Sequence, residues 1–107
     1  MLKAEVIKKI EELEQSLPEA QGIDETFYRE LLDEWAIYIW ALKFIGNSYP
    51  YERAINMEDR KTQLELELSD SSREVCEEYI RLCDLLEIIY YEVPNLRKEP
   101  RTSPNLR

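Results

Sequence analysis

Residues 47–70 read NSYPYERAINMEDRKTQLELELSD, and whether this stretch is a hairpin or a helix decides the fold. Taken in steps of two, Tyr49, Tyr51, Arg53, Ile55 and Met57 share one side, as do Leu64, Leu66 and Leu68, with MEDRKT as the turn between two short strands. Glu, Leu, Gln and Arg, however, are good helix formers, and β-branched residues are nearly absent from the second half of the run. Both readings stand on the sequence.

Upstream lies WAIYIWALKFIG, residues 35–46, which holds both tryptophans of the chain and a single charge, Lys43. It closes a helix expected to start after Asp24, a good N-cap, with Ile23 placed to staple against Phe27 or Tyr28 and Gly46 as the stop. The first half of that helix is amphipathic, with Glu30, Asp33 and Glu34 opposite Phe27, Leu31 and Trp35; the second half is apolar on every side. A helix apolar all round is surrounded by its own chain or by a partner. Further upstream, Leu2, Val6, Ile10, Leu13 and Leu17 recur at steps of three and four, which predicts an amphipathic helix ended by Pro18.

Downstream, Ser69 to Ser72 supply capping residues for a closing helix over 73–93, whose stripe is Val75, Tyr79, Leu82, Leu86, Ile89 and Val93, with Pro94 ending it. Residues 65–92 carry nine acids and two bases, so the outer face of this helix is negative. The remainder, PNLRKEPRTSPNLR, repeats PNLR and sets Arg97, Lys98, Arg101 and Arg107 against Glu99, a net +3 where the rest of the chain carries −12. Lacking periodic apolar residues, it has no core of its own. Charge complementarity suits it to the acidic helix face of its own chain or a neighbour's. The expected organisation is a single helical domain over 1–93 and a Pro-rich basic tail over 94–107.

At 107 residues the chain has room for one core, burying roughly two-thirds of the unfolded surface. There is no histidine, which removes Ser-His and Cys-His nucleophile pairs and HExxH zinc sites, and two glycines leave little for phosphate-cradling loops. The net charge of −9 disfavours direct binding to a nucleic-acid backbone and suits a basic protein surface. The first residues have no apolar run of signal-peptide length, and 35–46 is too short to span a bilayer, so the expected location is cytoplasmic. Cys76 and Cys83, about 10 Å apart on a helix, are expected as two unbridged thiols.

One grouping carries possible catalytic chemistry: EELEQ, with Glu11, Glu12 and Gln15, and ELLD, with Glu30 and Asp33. Locally this resembles the all-α MazG-type nucleotide pyrophosphohydrolases, whose second motif likewise runs from E-x-x-D into an apolar, aromatic-rich stretch. The resemblance covers about a third of the chain and implies Mg²⁺ held by Glu11, Glu12, Glu30 and Asp33 with the phosphates of a substrate. Gln15 stands where that family's pattern has a third metal-binding glutamate.

The sequence therefore predicts a mainly α fold, a small antiparallel bundle of two to three long helices with a short hairpin between the second and third as one form of residues 49–68. The leading function is a non-enzymatic interaction module without cofactor or metal: an adaptor, inhibitor, assembly chaperone or antitoxin-like partner. It presents an acidic face to a basic protein and self-associates as a homodimer through Trp35, Tyr38, Ile39, Trp40, Ile89 and Tyr90, since two-fold dimers with apolar interfaces are the commonest assembly. The alternatives are the Mg²⁺-dependent hydrolase and an acidic mimic of nucleic acid.

Overall fold

The computed structural model of the chain describes residues 3–67 and 72–92. Those residues form four helices: α1 (Lys3–Ala20), α2 (Glu25–Phe44), α3 (Tyr49–Glu67) and α4 (Arg73–Glu92). The mainly α bundle stands, but with four helices where the sequence predicted two to three, and with no strand among the described residues.

The hairpin expected within 49–68 is corrected to α3. Its buried residues, Pro50, Ala54, Met57 and Leu64, fall at steps of four, three and seven, so a helical stripe runs beneath the alternation. Leu64 is fully buried whereas Leu66 is 81% exposed, so the alternating leucines do not share an environment. The start of α3 is locally fixed. The Tyr49 N–H donates to Asn47 Oδ1 at 2.8 Å, the Ser48 hydroxyl donates to Glu52 at 2.9 Å, and Pro50 sits in the first turn, where a missing N–H costs no helical bond.

The other helix ends follow their sequence signals closely. Asp24 caps α2 by accepting from the Phe27 N–H at 3.0 Å. Gly46, at φ +79°, closes that helix in a Schellman arrangement: its N–H donates to Lys43 O at 2.9 Å, and the Asn47 N–H donates to Leu42 O at 2.9 Å. Ser72 caps α4 through the Val75 N–H. Two details differ. Ile23 is exposed rather than stapled, and α1 passes Pro18 to reach Ala20. The proline is on the solvent side, removes a single hydrogen bond near the helix end, and Leu17 and Ala20 beside it are buried.

Packing is organised around α2. It lies against α1 most extensively and also touches α3 and α4, while α3 packs chiefly on α4. Trp35, Ile39 and Leu42 of α2 meet Ile10 and Leu17 of α1, Met57 and Leu64 of α3 and Ile89 of α4 in one continuous core. Polar links pin the layers: Tyr28 donates to Asp84 at 2.7 Å, Arg60 grips Glu78 through Nε and Nη2 at 2.8 and 2.9 Å, and Arg81 donates to Gln21 at 2.6 Å. No described helix is long and apolar enough to cross a membrane. The expected tail, 94–107, lies outside the described residues.

Candidate interaction surface

The apolar helix that the sequence singles out has two faces with different fates. On the inner side, Trp35 is fully buried and donates its indole N–H to Glu14 Oε2 of α1 at 2.9 Å. Arg53 of α3 completes this junction, placing Nε 3.1 Å from the same oxygen and Nη2 against Glu14 Oε1. One carboxylate thus ties three helices together. Burial, and secondly the negative Glu14, push the Tyr49 hydroxyl up to about 12. Burial is the largest single effect on Arg53 and opposes its charge, but the bond to Glu14 and the negative charges of Glu14, Tyr49 and Glu11 together outweigh it and hold the guanidinium above its ordinary value.

Neither Glu14 nor Arg53 was among the predicted site residues, yet each carries a sequence signal. Glu14 lies four after Ile10 and three before Leu17; Arg53 lies three after Pro50 and four before Met57. Both occupy stripe positions normally held by apolar side chains, and a charge at such a position needs an opposite charge to meet it.

On the outer side of α2, Ile37 is 63% exposed, Trp40 48%, Phe44 73% and Ile45 56%. Trp40 and Phe44 stack on one another, with ring centroids 5.0 Å apart and planes at 19°. At 100° per residue, Ile37, Trp40 and Phe44 share one strip, opposite Trp35, Ile39 and Leu42. Continued towards the N-terminus, this strip carries Glu30, Asp33 and Glu34, all exposed. The outer face of α2 is therefore acidic over its first half and apolar over its second.

The six residues expected at an interface divide accordingly. Trp35, Ile39 and Ile89 are fully buried within the single chain, so they are core rather than surface. The physical reason is that the bundle has four helices, so that α1, α3 and α4 together surround α2 and supply enough apolar area to enclose its inner side. Tyr38 and Tyr90 are partly buried and pack against the core, and Trp40 alone of the six is exposed. Ile37, Phe44 and Ile45 are the exposed residues that the predicted set omitted.

The carboxylates of the hydrolase reading do not meet. Glu11, Glu12, Glu30 and Asp33 are all exposed. Since Trp35 faces α1, Glu30 and Asp33 on the opposite side of α2 point away from Glu11 and Glu12. Among the described residues no three Asp, Glu or Cys side chains come together to hold a metal ion. Cys76 and Cys83 are unbridged.

Comparison of the chain with family models, with curated proteins and with solved structures gave no match in any of the three.

Proposed function

We propose that this protein is a non-enzymatic interaction module that pairs with a second copy of itself through the outer face of α2 and offers its acidic helices to a basic protein partner. The observation that carries this reading is the exposed, stacked Trp40–Phe44 pair flanked by Ile37 and Ile45, on a chain whose own core is complete without them. Aromatic anchors of this kind are the usual centres of binding energy at interfaces.

The arrangement along α2 favours a second copy as the occupant. A two-fold contact sets the same patch against itself. Crossing two α2 helices at Trp40 and Phe44 sends Glu30, Asp33 and Glu34 of the two copies to opposite sides, so that chains of net charge −9 meet where neither carries an acid. The acids that remain outside are then free for a basic partner, in the manner of an adaptor, inhibitor, assembly chaperone or antitoxin-like protein. Contact through that acidic surface is weakened by salt, whereas the apolar pairing is not.

The experiment is native mass by light scattering on the full chain, at low and high salt, with and without Trp40→Glu combined with Phe44→Glu. The expected result is a salt-resistant dimer for the parent and a monomer for the double variant, with the variant's melting curve measured alongside to show that it is folded. A monomeric parent at all concentrations tested would remove the proposal.

A further inference from the structure

Along the outer strip of α2 the side chains change character in a fixed order. Glu30 and Asp33 come first, Ile37, Trp40 and Phe44 follow, and Lys43 flanks the far end, about 60° round the helix from Trp40. Lys43 is the basic residue of the last turn. Among the described residues, the side chains of Lys43 and Asp33 make no ion pair or hydrogen bond. Arg29, the other cation on the Lys43 side of the strip, is already paired with Glu25 at 3.3 Å.

This order is self-complementary in one direction only. Two copies laid in parallel set Glu30 against Glu30, Asp33 against Asp33 and Lys43 against Lys43, so that every charge on the seam meets its like. Laid antiparallel, about a two-fold axis perpendicular to α2, they bring the acidic half of each strip to the end of the other that holds Lys43.

The register follows from the apolar residues. With the axis between Ile37 and Trp40, Ile37 of each copy packs on Trp40 of the other, and Phe44 lies just outside that centre. Asp33 is then about 8 Å along α2 from the axis, and the partner's Lys43 about 7 Å from it on the same side. The two groups are level to within about 2 Å.

We infer that α2 pairs antiparallel with α2 of a second copy, and that Lys43 and Asp33 close the contact as two symmetric ion pairs between the copies. This rests on the pairing through the outer face of α2 proposed above and adds the residues that choose its direction and register. The aromatic centre supplies affinity, while the charges penalise the other alignments.

The test is charge reversal, read as the dimer Kd from light scattering over a dilution series of the full chain. Lys43→Glu and Asp33→Lys should each weaken the dimer by about tenfold, because two-fold symmetry makes each reversal set two like-charge pairs at the seam. The combined variant should return to within about threefold of the parent. Melting curves of all three variants show that they are folded. Asp33→Lys gives the sharper contrast, since it makes the chain less negative and would tighten a dimer limited only by overall repulsion. Single variants with the parent's affinity would overturn the inference, and a parallel pairing gives that result, because each reversal there exchanges one like pair for another. If Trp40→Glu with Phe44→Glu still abolishes the dimer, the pairing itself stands. Losses that add in the combined variant would also overturn it, because charges that do not meet cannot rescue one another. A parent that is monomeric throughout removes the pairing and this inference together.

Discussion

Glu14 shows how much a single side chain carries in this fold. It is 13% exposed, and it satisfies Trp35 from α2 and Arg53 from α3 at the same time. Removing one member of such a junction strands the others: Arg53→Ala leaves a largely buried carboxylate with one neutral donor, and Glu14→Ala leaves a guanidinium and an indole N–H without an acceptor. Each should cost about 2–3 kcal/mol in urea unfolding, with the double variant costing at least about 1 kcal/mol less than the sum. Additive losses would show that the two charges do not stabilise one another. The sequence displays the two charges at stripe positions 14 and 53, but their pairing depends on the angle between α1 and α3, which no local pattern encodes.

The helices themselves were legible wherever a cap or stop coincided with periodicity. Asp24 and Gly46 bracket α2 as their chemistry requires, and Gly46 gives the sharper test. Its φ of +79° lies in the left-handed region, and a Cβ built there meets nothing within 4 Å, so Gly46→Ala pays a backbone cost without a steric clash. Destabilisation of about 1–2 kcal/mol is expected from thermal melting, with no change in oligomeric state. A neutral result would mean that the Schellman turn readily yields to another ending. The segment that became α3 was harder to read because two periods coexist in it. Leu64 and Leu66 mark a strand, Pro50, Ala54, Met57 and Leu64 mark a helix, and only packing on α4 distinguishes the buried leucine from the exposed one. The same ambiguity affected the site: WAIYIWALKFIG is apolar throughout, so its composition pointed to an interface, while the division between Trp35 and Trp40 depended on how many helices surround α2.

At the scale of the whole molecule, stability should be bounded on both sides of neutral pH by groups that join one helix to another. Glu78 is held below the ordinary carboxylate value chiefly by its bond to Arg60, which links α3 and α4. A depressed pKa contributes stability that is present above the unfolded value, about 4.3, and is lost as pH falls through the folded one. On the alkaline side, Tyr49 is pushed up to about 12, and Tyr28 further still, by burial first and then by Glu14 and Asp84 respectively. A raised pKa works in the opposite sense: the contribution is complete below pH 10, about the unfolded tyrosine value, and disappears as pH rises through the folded one. The urea midpoint should therefore decline from about pH 10 towards 12, because the unfolded chain releases phenolic protons that the folded chain retains. Tyr49→Phe isolates the effect, since it removes the titrating hydroxyl while keeping the ring beside the core. The variant should match the parent closely near pH 7 and show a shallower alkaline decline. Identical slopes in the two proteins would place the alkaline sensitivity elsewhere, with Tyr28 and its bond to Asp84 as the next group to replace.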